Sequence, residues 1–521
     1  MINGAYQFAW YRHMNSRNTI FWIGRTPAQN VMLEFQCRDI KLDYLTVKTN
    51  ISQTLTDQSL IKSLGVIYFH KSIKLGNTIT FLRIVSTPLV KYSGIKILII
   101  VEDTSEVNRI KQTFLGKSDF STFNESHISF QLKQSIEYND VARSFSQLQS
   151  NPYPNINLKI YPRTGTILSE EQNVLLRRSF SDCDSLHIHQ LDQQGYSAKV
   201  FSVYPQINDG ISSGRLQPFL VKFDKIDDII NENNYYKTYV NPYIPFSLRP
   251  NLDHNRSIHS SEISIKSDEF GALVSSYVDR AIPLLEAIEK GTGPNALHCL
   301  FEESLDRWLQ NTKIEDGSPF DAIEKRFKQN KFNESPQILT EAKKIGHVLD
   351  PDVLLAKLKT IPCNKHRNGI IHGDLHANNI LVKGYDAIII DFSECRNGPV
   401  LVDLATLDVS IAFFSALRIE KEEEFKEWIR FVKEKYSYKN VSGLPVVRQG
   451  YEYYMRQWNC IRQIRRHALM ERVDKMEYAI CLANELLKHS VYINKSNFGL
   501  QIAAYSYYLS SNLAQEILTN T

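Results

Sequence analysis

Between residues 30 and 165 the apolar positions come in short runs, VMLEF, GVIYFH, TITFLRIV and IKILIIVE, separated by amphipathic stretches such as LTDQSLIKSL and EVNRIKQTFL. Short apolar runs read as strands and stretches with helical spacing as helices. Their alternation predicts an α/β domain with a central sheet over residues 1–165. The carboxylates closing the fourth run, Glu102 and Asp103, are expected to cap the helix that starts near Ser105. A metal-holding acidic pair at that strand end ranks lower, because no later strand-end aspartate can be placed beside it. The turn residues of SNPYPN and YPRTGT mark a boundary. After them SEEQNVLLRRSF, a cap followed by helical spacing, predicts a connecting helix near residues 169–180, within a linking segment 166–184.

Downstream the pattern changes. Residues 185–278 hold several short strand candidates and one helix, whereas residues 279–521 are dominated by amphipathic helices. A single segment interrupts them: IIHGDLHANNILV, residues 370–382, followed by IDF with its aspartate at Asp391. Two histidines, an aspartate and two asparagines crowded between apolar flanks are costly to bury without partners, so each is expected to have an assigned bond, proton or metal ion. Ile380 to Val382 and Ala387 to Ile390 read as strands, and KGYD joins them with a glycine suited to positive φ. The hairpin brings Asp391 back beside Asn378 and Asn379, with Asp374 on the preceding loop. Carboxylate and amide oxygens gathered there are hard ligands of the kind Mg²⁺ takes together with substrate phosphates. A one-residue change of register would exchange Asn378 for Asn379.

Charge and cysteine content narrow the field without naming a partner. With 61 Lys and Arg against 57 Asp and Glu, the net charge of +4 gives no global case for nucleic acid or an anionic membrane. The seven cysteines show no CxxC or paired spacing, which predicts reduced thiols and a cytoplasmic protein. The first residues lack an apolar stretch of signal-peptide length, and no later run reaches the ~20 residues of a membrane helix.

Phosphoryl transfer from a nucleotide requires a carboxylate to orient or deprotonate the attacking hydroxyl and magnesium to neutralise the phosphates. The spacing HxDxxxxN followed by a strand-end Asp supplies both, at His372, Asp374, Asn379 and Asp391. The segment resembles the catalytic loop and metal motif of the aminoglycoside phosphotransferase and choline kinase branch of the protein kinase-like superfamily, where HGDLHxxNIL and IDF recur. Gly398 and Asp403-Leu404-Ala405 match the glycine and DLA that follow in that branch. The resemblance implies an α+β, two-lobed kinase-like fold preceded by the α/β domain, with a small β-rich lobe at 185–278 and a helical lobe at 279–521. It implies Asp374 as catalytic base, Asn379 and Asp391 as metal ligands, His372 as an anchor of the loop and His376 as the branch's second histidine. Asp403 is expected to be structural, a buried acceptor tying loop to helix.

The same resemblance asks for a lysine on an upstream strand and a glutamate on the next helix. Alternation along Phe219 to Phe223 sets Lys222 opposite Val221 and Phe223, and Ile229, Glu232 and Tyr236 share one helical stripe. Lys222 and Glu232 are the expected pair. Gly195 and Ser197 occupy the place of a phosphate-covering loop, although Gln194 replaces one glycine and Ala198 follows Ser197 where a glycine is usual. A hinge at Tyr277 to Asp279 would read the nucleobase. These residues together predict a Mg²⁺-dependent phosphotransferase using ATP (or GTP), with a small-molecule or protein hydroxyl as acceptor. A nucleotide-binding regulator acting on a partner and a kinase-fold nucleotidyltransferase are the rival readings. The aromatics of the last helices are expected to pack the lobe, and Arg462, Arg465 and Arg466 to form a solvated face.

Overall fold

The computed structural model describes residues 17–46, 55–72, 75–115, 128–149, 152–191, 198–208, 213–258, 270–320, 336–363, 365–442, 452–470, 475–491 and 496–520. The chain divides into two compact units, one of residues 1–231 and 251–277 and one of residues 232–250 and 278–521.

The first unit contains two sheets. Strands β1 (Thr19–Ile23), β2 (Lys41–Leu45), β3 (Gly65–Phe69), β4 (Lys96–Val101) and β5 (Ile128–Leu132) form a parallel sheet in the order β2-β1-β3-β4-β5. The central strands β3 and β4 are buried on both faces, which is why they read as unbroken apolar runs. Their side chains alternate between two cores: Val66, Tyr68, Ile97 and Ile99 belong to one, Ile67, Phe69, Leu98 and Ile100 to the other. Two of the four expected strands are helices instead. VMLEF lies in α1 (Gln29–Gln36), where Val31 and Phe35 are buried while Leu33 is exposed, and TITFLRIV lies in α2 (Leu75–Val85), where Thr78, Phe81, Leu82 and Val85 form the buried face. Their spacings, i, i+4 and i, i+3, i+4, i+7, are helical, and in runs this short the period is easily lost.

A short helix, α3 (Pro88–Lys91), precedes β4, and α4 (Thr104–Leu115) follows it. At the start of α4 the Asp103 carboxylate accepts the Glu106 N–H at 3.0 Å, the expected cap, while Glu102 pairs with Lys133 at 2.9 Å.

The second sheet has the order β11-β10-β8-β7-β6, built from β6 (Lys159–Pro162), β7 (Ser185–Leu191), β8 (Lys199–Asn208), β10 (Phe219–Lys225) and β11 (Phe270–Ser276), with β9 (Ser213–Arg215) paired to β8. The connecting helix appears as α5 (Glu170–Ser179), capped by Ser169 and Gln172 in a reciprocal box. Its Val174, Leu175 and Leu176 share a core with Phe201, Val221, Phe223 and Val274 of this sheet. Helix α6 (Ile226–Tyr235) follows β10.

The second unit is mainly helical around two small antiparallel sheets, β12-β15-β16 and β13-β14-β17, made of β12 (Ile282–Pro283), β13 (Lys313–Asp316), β14 (Lys365–Ile371), β15 (Ile380–Lys383), β16 (Asp386–Ile389) and β17 (Arg396–Pro399). Strands β15 and β16 are the expected hairpin, with Lys383 opposite Asp386 and Gly384 at φ +67° in the first turn position. Helix α7 (Leu401–Phe414) is buried along nearly its whole length, and α8 (Glu452–Met470), α9 (Lys475–Ser490) and α10 (Gly499–Asn520) are among the other helices of the unit. A sheet that is antiparallel from β7 to β11, with a helix after its lysine strand, followed by a helical unit carrying a polar loop and hairpin, is the element order of a two-lobed kinase-like fold. The protein is α+β, with the parallel sheet ahead of that fold. No described helix is long and apolar enough to cross a membrane.

One expectation fails in this unit. Arg465 lies on no solvated face: it is fully buried, its Nε 2.7 Å from Asp408 Oδ2, and the Tyr436 and Tyr478 hydroxyls donate to the same carboxylate at 2.7 and 2.8 Å. Amphipathic averaging assigned a charged residue to the outside of α8, but a buried carboxylate on α7 calls for a cation there.

Candidate active site

The backbone of the polar loop is fastened before its side chains are considered. The N–H groups of His372 and Gly373 donate to the two carboxylate oxygens of Asp403, at 2.6 and 2.9 Å, from the first turn of α7. Both bonds are buried and charge-assisted, as expected for a structural Asp403. Gly373 sits at φ +83°, and a Cβ there would lie 2.4 Å from the Glu394 carbonyl oxygen, so the loop passes this point only as glycine.

The fully buried His372 ring accepts the Asp374 N–H at Nδ1 (3.3 Å) and lies 2.9 Å from the Ile390 carbonyl through Nε2. That pattern puts the ring proton on Nε2 and ties the loop to the residue before Asp391.

Asn379 turns inward and Asn378 outward. The Asn379 side-chain nitrogen donates to the Asp374 backbone carbonyl at 2.9 Å, and the Asn379 backbone carbonyl accepts the Ile390 N–H at 3.0 Å, continuing the β15–β16 register. Asp391 follows directly in the left-handed region, φ +61°, which few non-glycine residues adopt, and Ser393 donates to its Oδ1 at 3.0 Å. With its nitrogen committed to Asp374, the Asn379 amide has its oxygen left as a ligand atom. An amide oxygen and one carboxylate at a hairpin end suit a magnesium ion that completes its shell with water and phosphate. No cage of three or more His, Cys, Asp or Glu exists among the described residues, and such an ion needs none.

Asp374 is half-buried. Burial works against its ionisation, but the Lys488 ammonium and the neighbouring His376 and His372 outweigh it and hold the carboxyl well below the usual carboxylate range. Lys488 Nζ is 2.7 Å from Asp374 Oδ1, and His376 Nε2 is 3.6 Å from Oδ2. Burial in turn pushes His376 down against the pull of Asp374. Of the two side chains, Lys488 makes the closer contact with this carboxylate.

Glu232 is buried, in line with Ile229 and Tyr236 as the stripe predicts. The Tyr236 ring lies 5.9 Å from Phe392, next to Asp391. Burial first, and then the Asp403, Glu232 and Asp391 charges, push the Cys395 thiol far up, so these carboxylates act on one neighbourhood. In the other unit Lys222 is paired between Val200 of β8 and Leu273 of β11, on the face opposite Val221 and Phe223. Lys222 and Glu232 belong to different units, and their pairing is taken up below as part of the proposal. Tyr277 ends the first unit, where the hinge was expected, its N–H donating to the Pro218 carbonyl at 3.1 Å. Gly195 and Ser197 lie outside the described residues.

A family model described as "Ternary complex associated domain 9" matches residues 314–484, a third of the chain that includes the whole polar loop and hairpin. No curated protein matches. Among solved structures, the apo form of a thermostable mutant of aminoglycoside phosphotransferase APH(4)-Ia is 12% identical, with a TM-score of 0.36 over 64% of this chain and 94% of that one. A glucosamine kinase is 10% identical, with a TM-score of 0.31 over 64% and 94%. Amicoumacin kinase hAmiN, in complex with AMP-PNP, Ca²⁺ and Ami, is 12% identical, with a TM-score of 0.28 over 64% and 88%. Each is a remote likeness, and what this site can do follows from its own residues.

Lys488 lies on one of the last helices, whose sequence pattern predicts only aromatics packing the lobe. A signal was present. Glu477, Cys481, Asn484 and Lys488 follow one another at spacings of four, three and four along α9, a polar stripe on an otherwise apolar helix.

Proposed function

We propose that the chain is a Mg²⁺- and nucleotide-dependent phosphotransferase that moves the γ-phosphoryl group of ATP, or GTP, to a hydroxyl on a small molecule or protein. The observation that carries the reading is the Asp374 carboxylate, held ionised on a loop whose backbone is fastened by Asp403 and His372, with Asn379 and Asp391 at the end of the adjoining hairpin.

In this reading Asp374 orients the acceptor hydroxyl and takes its proton as the oxygen attacks the phosphorus. His372 keeps the loop registered against Asp391, and His376 borders the base. Asn379 and Asp391 would hold the magnesium ion, which when bound neutralises phosphate charge. Lys222, paired with Glu232, would contact the phosphates, Gly195 and Ser197 would cover them, and the backbone at Tyr277 would meet the base. Residues 185–278 and 279–521 serve as the two lobes, with residues 1–165 as a domain of separate role joined through 166–184.

The test is paired. Asp374→Asn preserves shape and should leave Mg·ATP affinity by calorimetry within about twofold, while product formation falls ~10² to 10⁴-fold, the usual range for a general base. Unchanged turnover with unchanged affinity would sink the reading. The description of the matching family, which associates it with a ternary complex, favours a second reading in which nucleotide occupancy controls a partner. A regulator of that kind would be indifferent to Asp374→Asn.

A further inference from the structure

Helix α9 meets the catalytic segment at both of its ends. Near its start Glu477 accepts the Arg367 N–H on β14 at 3.2 Å, and near its end Lys488 reaches Asp374 at 2.7 Å. Eleven residues of α-helix make about three turns, so Glu477 and Lys488 lie within about 20° of each other on one face. The same face therefore follows the chain from β14 into the loop. Beyond Lys488, the partly buried His489 ring packs 4.9 Å from Phe413 and 5.9 Å from Phe414, and Phe414 lies 5.5 Å from His376. Glu485 sits one turn before Lys488, its Oε2 3.7 Å from the ammonium.

This contact is not needed to shape the loop. Asp403, His372 and Asn379 already bind the backbone from residue 372 to residue 374. Lys488 reaches the loop through the Asp374 side chain. A carboxylate that must face the charged phosphates of a nucleotide is repelled by them in a partly dewatered site, and would swing away or pair elsewhere unless a fixed cation offsets the repulsion. An ammonium has three donors, and here Glu485 and the packing of His489 restrain where it sits.

We propose that Lys488 is a positioning residue of phosphoryl transfer: it holds Asp374 Oδ1 so that the carboxylate stays aimed at the acceptor hydroxyl. The proposal rests on the phosphotransferase reading above. In the step it serves, the bond from the γ-phosphorus to the nucleoside diphosphate oxygen breaks and a bond to the acceptor oxygen forms. The hydroxyl proton passes to Asp374, and Lys488 keeps its own.

Water can serve as the acceptor, so the experiment follows Mg·ATP hydrolysis to ADP and inorganic phosphate by the full chain, with Mg·ATP affinity measured separately by calorimetry. The set is wild type, Lys488→Met, Lys488→Arg, Asp374→Asn and the Asp374→Asn/Lys488→Met double variant. Lys488→Met should lower kcat ~10 to 100-fold, the scale of a misplaced catalytic group, with the KM for Mg·ATP and the affinity within about twofold. Lys488→Arg, which keeps the charge, should recover most of the loss. The double variant should be no slower than Asp374→Asn, because a positioning residue has nothing left to position.

If Lys488→Met fails to fold by circular dichroism, Lys488→Gln takes its place with the same expectations. A neutral variant that turns over at the wild-type rate, that loses affinity in step with kcat, or that adds its full loss to Asp374→Asn overturns the proposal. A wild-type chain that turns over no faster than Asp374→Asn overturns the phosphotransferase reading itself. The comparison of those two proteins tells the two failures apart.

Discussion

Asp403→Asn tests whether the loop is held as the geometry indicates. Asp403 accepts two backbone N–H groups of the loop, and through them its effect on chemistry passes by way of the loop's position. Two bonds are at stake, at 2.6 Å from His372 and 2.9 Å from Gly373. A hydrogen bond to a charged group contributes about 1.5–3 kcal/mol net, and one between neutral groups about 0.5–1.5 kcal/mol. Asparagine keeps a single acceptor oxygen. One N–H keeps a weakened bond, while the other meets an NH₂ donor and stays buried without an acceptor. The sum is about 3 kcal/mol, or ~100-fold in the local opening equilibrium at 1.36 kcal/mol per decade.

Amide hydrogen exchange read by mass spectrometry, on peptides spanning residues 370–376, measures that opening directly. The expected result is exchange ~100-fold faster at His372 and Gly373, with β13 and the helices away from the loop unchanged. Mg·ATP turnover should fall with it. Wild-type exchange at these two amides in a folded Asp403→Asn protein would refute the reasoning, because it would mean that something other than Asp403 holds the loop.

The remaining predictions concern the helical unit. Arg465→Met leaves the Asp408 carboxylate buried without its cation and should destabilise this unit by about 3–5 kcal/mol, seen as an earlier transition in urea. His489 is partly buried at the end of α9, and burial, then the neighbouring Lys488 charge, lowers its pKa to about 4. The unfolded histidine takes up a proton below about 6.5 and the folded one only near 4, so this residue's contribution is fully present above 6.5 and lost as pH falls toward 4. His489→Phe should flatten the stability–pH curve in that window by about 3 kcal/mol, as read from urea midpoints at pH 4.5 and 7.

The catalytic segment was legible because its features are local. Polar residues crowded between apolar runs, a glycine two-residue turn and the period-2 alternation of β15 and β16 all lie within about twenty residues, and together they set the hairpin and bring Asp391 to its end. The direction of Asn379 followed from the register once the hairpin was fixed. What was not legible depends on distant partners or on short windows. Lys488 and Asp374 are 114 residues apart, and Arg465 and Asp408 are 57 apart. No local pattern separates such residues from a solvated lysine or arginine. VMLEF and TITFLRIV failed for a different reason: a few apolar residues in succession satisfy a strand or a buried helix face equally well, and only the neighbouring sheet decides.

The first unit carries its own lesson about boundaries. The turn-rich stretch near residue 155 separates two sheets, but one apolar cluster crosses it: Leu89 of α3 and Tyr92 at its end pack with Val174 of α5, Phe180 at the end of α5, and Val221 and Phe223 of the second sheet. Of two buried guanidiniums here, Arg178 bonds across the boundary and Arg17 braces the turn that Arg178 reaches. Arg17 donates to the Ser93 and Gly94 carbonyls at 2.6 and 3.0 Å, and Arg178 of α5 to the Tyr92 and Pro152 carbonyls at 2.9 and 3.2 Å. Burial, and then the charge of Arg178, lowers Arg17 to about 9, and burial lowers Arg178 to about 10, so holding these cations in place has a real cost. A cost of that kind persists where the surrounding packing exceeds it. Val221 and Phe223, the immediate neighbours of Lys222, belong to the same cluster, so the strand carrying the proposed phosphate-binding lysine is packed, through α5 and Tyr92, onto the end of the parallel sheet. The turn residues of the sequence mark where one sheet stops and the next starts, whereas the buried contacts decide which parts move together.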